Sequence, residues 1–343
     1  MHGPTEPMPF AVIPGAQVQR VLDGRHREVV DLVESAYRTH GAGDTVNPPS
    51  YFLRFPDRPS ARIIALPASI GGDVGADGIK WISSFPENTA TGIPRASAVL
   101  VLNDQRTGYP FACLESSVIS ATRTAASAAL AADRLSAKRA RPRSVAYIGT
   151  GLIARYVADY LANTGWEFES TAVHDLSADN ARAFRDMLGG GPGVTVHACA
   201  ETAIRESDLV VFATVAPEPH VHDPSWFDHN PVVLNVSLRD VSTEVVLASC
   251  NIVDDVEHCL KANTSVHLAE QATGGRDFLD GTLYEVITGD VEVPEDRPVL
   301  FSPFGLGVLD LAVGKYVHDR VRAAGELTVI PDFFSDLDRY GRG

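Results

Sequence analysis

The segment VAYIGTGLIA (Val145 to Ala154) constrains this chain more than any other part of it. An apolar, β-branched run ends in Gly149, a second glycine follows at Gly151, and Ala154 is the third small position, in a run with helical spacing from Leu152 to Asn163. A strand that turns this tightly into a helix presents free N–H groups and the positive end of the helix dipole, and a Cβ on the turn would block an anion from reaching them. Gly149, Thr150, Gly151, Leu152, Ile153 and Ala154 are therefore expected to hold the pyrophosphate of a dinucleotide. The next strand-like run, STAVHD, ends in Asp175. A carboxylate there accepts hydrogen bonds from ribose hydroxyls and repels a 2'-phosphate, so the expected cofactor is NAD. The competing reading is a tight turn in a non-binding domain, with Asp175 capping the helix after Leu176.

From Val145 onward strand-like and helix-like segments alternate. Apolar runs at Ser170 to Asp175, Val194 to Ala198, Asp208 to Thr214, Val232 to Ser237 and Asn251 to Asp255 are interleaved with helical runs such as Ala178 to Leu188 and a short one around Thr202 to Glu206. Continuous Val/Ile/Leu runs separated by helices indicate parallel strands covered on both faces. The expected fold class is α/β, with a Rossmann-type doubly wound parallel sheet. Thr214 and Ser237 fall at the C-terminal ends of two such strands, where a dinucleotide-binding crevice opens, and are candidates for cofactor contacts.

The first part of the chain reads differently. A helix from Arg27 to Thr39 precedes a polar, Pro-rich stretch (Asn47 to Pro59), then strand candidates Ala61 to Ala68, Gly78 to Phe85 and Ala96 to Asp104. Turns near Gly71 to Gly78 and at Arg106 to Gly108 suggest an antiparallel or mixed sheet. The Ala-rich run Arg123 to Lys138 is a natural bridging helix. A length of 343 residues suits two domains. Residues 1–125 are expected to form an α+β substrate-binding domain, residues 126–317 the NAD-binding domain, and residues 318–343 to return to the first after a last helix from Leu306 to Ala324.

With 29 Lys and Arg against 44 Asp and Glu, the net charge is -15. Nucleic acid and anionic membrane, which call for basic patches, are thereby excluded as main partners. Met1 to Ala11 shows no basic region leading into an apolar one, and no run approaches the ~18 apolar residues that span a bilayer. Cys113, Cys199, Cys250 and Cys259 make no CxxC pair and read as buried small hydrophobes of a reducing compartment. A cytoplasmic protein is expected. His220, His222 and His229 lie near Asp223 and Asp228, but their spacing fits no metal-ligand pattern, so no metal is expected and these histidines, with His174, read as bystanders.

Three cations of the first part sit in apolar or small-residue surroundings: Arg62 in SARIIALPA, Lys80 in GIKWISSFP and Arg123 in ISATRTAA. Alternation puts Arg62 on the face of Ile64 and Leu66, where burying a guanidinium is unfavourable. For any one of them a salt bridge is an adequate explanation. Three together, leading into a cofactor domain, favour an anion-binding pocket, with Arg95 in GIPRAS as a fourth candidate.

The succession GIKW, SFPEN (Ser84 to Asn88), a Gly-Ile-Pro turn at Gly92, VLND, TGYP (Thr107 to Pro110), LESSVISATRTAASAALAA (Leu114 to Ala132) and GTGLIA resembles the ornithine cyclodeaminase and mu-crystallin family over roughly residues 60–315. TRTAA joined to the downstream glycine turn is its most specific part. The resemblance implies a homodimeric enzyme with an NAD-binding Rossmann domain and a substrate domain that also makes the dimer. It implies that Arg62, Lys80 and Arg123 hold a substrate carboxylate and that Asp240, in the LRD that follows VVLNVS, is catalytic. Here Arg239 replaces the family's small residue and Val241 to Glu244 replace its Pro-Gly-Lys. An added arginine repels the amines of ornithine and attracts extra carboxylates.

SLRD, GIKWISSFPEN and GIPRAS resemble the siderophore-pathway branch of the family. That branch oxidises N-(1-amino-1-carboxyl-2-ethyl)-glutamate to 2,3-diaminopropionate and 2-oxoglutarate. The reaction so implied is NAD-dependent oxidative cleavage of a secondary amine. Asp240 serves as general acid and base, Lys80 is the second catalytic residue and fixes the substrate, and Arg62, Arg95, Arg123 and Arg239 supply further cations for three carboxylates. Three other readings stay open: an ornithine cyclodeaminase releasing proline and ammonia, a simple amino-acid or imine dehydrogenase, and a non-catalytic, mu-crystallin-like binding protein. For Asp240 the alternative is a cap on the following helix. The segment FSPFGLG (Phe301 to Gly307) resembles the family's loop near the nicotinamide, with Pro303 and Phe304 in place of its usual residues.

Overall fold

A computed structural model describes residues 9–334 and divides the chain into two compact units. The far end of the expected returning tail, residues 335–343, lies outside the described residues.

The first unit takes in residues up to Arg25, Ala42–Ser120 and residues from Gly307 onward. Its strands are β1 (Phe10–Ile13), β2 (Thr45–Val46), β3 (Tyr51–Phe55), β4 (Arg58–Ile70), β5 (Ala76–Ser84), β6 (Ala96–Asn103) and β7 (Pro110–Glu115). β4, β5, β6 and β7 form an antiparallel meander, β1 runs parallel to β7, and the late strand Thr328–Ile330 closes the edge antiparallel to β1. The mixed sheet expected from the hairpin turns is therefore present, and at least residues 328–330 of the tail return to it.

Helix Gly307–Ala323 covers one face of this sheet, over β4, β5 and β6. A Cβ on Gly314 would lie 2.1 Å from Leu100 Cδ2, so the helix backbone rests directly on the strands. Ile70, Ala76, Leu100, Leu102 and Leu114 are buried on that face. Val12, Tyr51, Leu53, Trp81 and Val99, which alternate with them, are exposed on the other.

The second unit comprises His26–Gly41 and Ala121–Leu306. Its strands are β8 (Ser144–Ile148), β9 (Ser170–His174), β10 (Val194–Val196), β11 (Leu209–Phe212), β12 (Val232–Asn235), β13 (Cys250–Val253), β14 (Leu279–Thr282) and β15 (Val299–Ser302). All pair in parallel, in the order β10-β9-β8-β11-β12-β15-β13-β14. The chain moves outward in one direction from β8 to β10, then returns to the other side at β11. The topological switch point of a doubly wound sheet thus lies between β8 and β11.

These units are not the expected continuous blocks 1–125 and 126–317. Helix Gly307–Ala323 counts with the first unit because its apolar residues are buried on β4 to β6. Helix His26–Gly41 counts with the second, where Tyr37 is buried with its hydroxyl 2.7 Å from Ser127 and Glu34 pairs with Arg134 at 2.6 Å. The cysteine reading also needs correction. Cys250 and Cys259 are buried and Cys113 is half-buried, but Cys199 is exposed. It precedes helix Ala200–Arg205, with its sulfur 3.1 Å from Thr202 Oγ1, and that hydrogen bond lowers its thiol pKa.

Candidate functional site

The glycine turn stands at the switch point. Gly149 follows β8 with φ of 85°, and a Cβ there would lie 2.7 Å from the Ala213 carbonyl oxygen at the end of β11, so both conformation and space require glycine. Gly151 is the N-cap of helix Leu152–Asn163 and offers no side-chain cap, leaving first-turn N–H groups for a ligand. A Cβ on Gly151 would meet nothing within 4 Å, so the space before the helix end is open. Leu152 is exposed, Ile153 half-buried and Ala154 fully buried.

Asp175, at the end of β9, ties this turn down. Its Oδ2 accepts from the Thr150 amide at 2.9 Å and hydroxyl at 2.8 Å, and its Oδ1 accepts from Ser177 N at 2.8 Å. The N-cap of helix Ala178–Met187 is Ser177, whose hydroxyl accepts from Asn180 N, so Asp175 braces the chain before that helix and does not cap it. A carboxylate has about four lone-pair directions, so capacity remains for ribose hydroxyls.

Next to Gly149, a polar cluster closes on Asp240. Thr214 Cγ2 is 3.1 Å from the Cβ position of Gly149, and the Thr214 hydroxyl donates to Asp240 Oδ1. Ser237 donates to Oδ2. His220 Nε2 lies 2.9 Å from Oδ1. The backbone of the loop is stitched as well: His220 N and Val221 N both donate to the Asp240 carbonyl at 3.0 Å, and Val221 bridges Val241. Thr214, Ser237 and Asp240 are thus brought together at the cofactor turn. His220, read as a bystander from sequence, is their fourth member.

Two cations of this unit have other surroundings. Arg239 donates to the carbonyls of Ala262 at 2.9 Å and Pro217 at 3.3 Å, bracing a loop in which Ala262 and Asn263 have φ of 56° and 54°. Arg123 is buried against the FSPFGLG loop, where a Cβ on Gly305 would lie 2.5 Å from its Nη1. The loop is held by Asp254, a buried carboxylate that accepts from Phe304 N at 3.0 Å and Gly305 N at 2.7 Å. Sequence reasoning gave Asp254 no role. Among the described residues no group of His, Cys, Asp and Glu is arranged to hold a metal ion.

In the first unit, Lys80 stands on the face covered by helix Gly307–Ala323, in register between Leu66 and Leu100. It is 2% exposed, with Nζ 2.6 Å from Oδ2 of the fully buried Asp310 and 3.3 Å from Ser120 Oγ. Arg62 shares that face, as the alternation implies, directly opposite Ser84 of β5 and Arg54 of β3. Arg95 Nη1 donates to Ser84 Oγ at 2.9 Å, and burial lowers its pKa from the ordinary arginine value. Arg62, Lys80 and Arg95 therefore lie along one face of the sheet. Arg54, which sequence reasoning passed over, joins them at the β3 edge.

A parallel sheet with a glycine turn at its switch point, open before an uncapped helix, defines a dinucleotide-binding domain of the Rossmann type. The chain belongs to the ornithine cyclodeaminase/mu-crystallin family, whose model matches residues 16–325. It is 30% identical over 311 residues to the N-((2S)-2-amino-2-carboxyethyl)-L-glutamate dehydrogenase of Staphylococcus aureus, covering 87% of this chain and 92% of that protein. The crystal structure of CmnK superposes with a TM-score of 0.85 at 30% identity, covering 96% of this chain and all of the other. The Thermococcus litoralis Delta(1)-pyrroline-2-carboxylate reductase, solved with NADH and L-proline, shares the fold with a TM-score of 0.86 at 24% identity over 94% of this chain and all of that one.

Proposed function

We propose that this chain catalyses the NAD-dependent oxidative cleavage of N-(1-amino-1-carboxyl-2-ethyl)-glutamate to 2,3-diaminopropionate and 2-oxoglutarate. The observation that carries this reading is the run of cations, Lys80, Arg62, Arg95 and Arg54, along one face of the first sheet. A single α-carboxylate, as in ornithine, would engage only part of it, whereas a compound with three carboxylates would engage more. The likeness to the Staphylococcus aureus dehydrogenase supports the same substrate.

Bound NAD supplies the hydride acceptor. Thr150, Gly151 and the first turn from Leu152 to Ala154 would hold its pyrophosphate, Asp175 its ribose hydroxyls, and Thr214 and Ser237 would line the crevice at the strand ends. Arg62, Lys80 and Arg123 bind substrate carboxylates, with Arg95 and Arg239 as further cations. They fix the glutamate-side Cα so that its hydrogen leaves as hydride. The site of Asp240 then serves the acid–base chemistry by which water adds to the resulting imine.

The chain acts as a homodimer in this reading, because the exposed apolar residues Val12, Tyr51, Leu53, Trp81 and Val99 share one bare sheet face. Among the described residues no helix is long and apolar enough to cross a membrane. The enzyme works in the cytoplasm and supplies 2,3-diaminopropionate to a siderophore or a peptide antibiotic.

The test is incubation of purified protein with NAD and the glutamate conjugate. Equal amounts of NADH, 2-oxoglutarate and 2,3-diaminopropionate are expected. Proline and ammonia from ornithine, without net NADH, would instead identify an ornithine cyclodeaminase. Inertness toward every amino acid, with stabilisation by a small hydrophobic ligand, would identify a binding protein.

A further inference from the structure

Asp240 presents a difficulty as a group that meets water and substrate. Its side chain is fully buried, and both carboxylate oxygens are engaged, Oδ1 by Thr214 and His220 and Oδ2 by Ser237. His220 is different: 38% of its side-chain surface is open. Satisfying the carboxylate requires the proton on Nε2, which leaves a lone pair on Nδ1. Among the described residues nothing hydrogen-bonds Nδ1. The imidazole cannot turn away cheaply, because its backbone is pinned to the Asp240 carbonyl and Val221 is locked against Val241. A buried carboxylate and an oriented, part-exposed imidazole whose Nδ1 has no hydrogen-bond partner among the described residues form an acid–base dyad.

We propose that His220 is the catalytic residue that exchanges protons with water and the substrate nitrogen, and that Asp240 acts through it as a positioning residue. The inference rests on the oxidative-cleavage reading for the identity of the reaction. After hydride has left the substrate Cα for NAD, the oxygen of water bonds to the imine carbon while one water proton passes to Nδ1. The π pair of C=N moves to nitrogen, which takes that proton. In the collapse, C=O forms as the C–N bond breaks, and the hydroxyl proton passes through Nδ1 to the departing amine. Water thus supplies the oxygen and both protons, and no further co-reactant is needed.

His220→Gln tests the proposal, since the amide of glutamine still donates to Asp240 but cannot carry a proton. In the first turnover NADH is expected at the wild-type rate, with release of 2-oxoglutarate slowed about 10²- to 10⁴-fold. KM and NAD affinity stay unchanged, and added imidazole restores turnover in His220→Ala. Unaltered kcat in His220→Gln, or no imidazole rescue, overturns the proposal. A second readout needs no substrate. Nitrogen-15 NMR of the histidine-labelled protein is expected to show His220 protonated on Nε2, an assignment lost in Asp240→Asn. A proton on Nδ1 in the wild type overturns the dyad. If the wild type leaves the glutamate conjugate untouched, the reading of the reaction falls, and the NMR result still decides the dyad.

Discussion

The two eight-stranded sheets of this protein handle burial in opposite ways. In the parallel sheet every residue of β11, β12, β13 and β15 is buried, so both faces are sealed. In the mixed sheet burial alternates along β6, and only the face under helix Gly307–Ala323 is dry. The chemistry follows the same division. The sealed sheet offers its strand ends, where backbone N–H groups at Gly151 and hydroxyls at Thr214 and Ser237 are fixed by the fold itself. The half-bare sheet offers side chains in mid-strand, where cations must be held by partners such as Asp310 and Ser84. In the proposed function one unit recognises its ligand through main chain and the other through charge.

Several substitutions separate these two modes of recognition. The largest effect is expected from Lys80→Met, which removes a cation of the proposed substrate site and breaks a buried ion pair. Turnover should fall by about 10³-fold and stability by about 3 kcal/mol in a denaturant titration. Adding Asp310→Leu should recover most of the stability and none of the activity, and recovery of both would reduce Lys80 to a structural role. Gly149→Ala places a Cβ against the Ala213 carbonyl in a left-handed conformation, a strain of about 1–3 kcal/mol. It should weaken NAD by about 10²-fold in a fluorescence titration. Arg95→Ala should raise KM for the glutamate conjugate about 10-fold, with kcat nearly unchanged, by removing one charge-assisted contact of about 1.5 kcal/mol. Smallest in its effect on chemistry, Trp81→Asp with Val99→Asp should convert dimer to monomer in sedimentation, while NAD binding in the sealed unit persists. An unchanged sedimentation coefficient would remove the bare face from the account.

What could be read from sequence follows from how local each feature is. The strand, turn and helix around Gly149 are contiguous, so the cofactor turn and helix Leu152–Asn163 were legible residue by residue. Alternation placed Arg62 with Ile64 and Leu66 because a strand has a fixed period. The position of β15 between β12 and β13 was not legible, since strand order is decided by pairing across the sheet. Nor was the exchange of helices His26–Gly41 and Gly307–Ala323, because the first is amphipathic, the second is buried on all sides from Gly307 to Gly314, and sequence does not say which sheet receives either. Asp310 lies 230 residues from Lys80, with no shared motif. For His220 a local signal existed: Val221, an apolar residue in a polar loop, marked the point where that loop is tied to Val241.

In the proposed reaction the hydrogen on the glutamate-side Cα leaves as hydride to NAD. The glutamate conjugate deuterated at that carbon tests it directly, by mass analysis of the reduced cofactor after one turnover. One deuterium is expected in each NADH, formed together with unlabelled 2,3-diaminopropionate. Formation of 2-oxoglutarate with unlabelled NADH, or with no NADH, would contradict it.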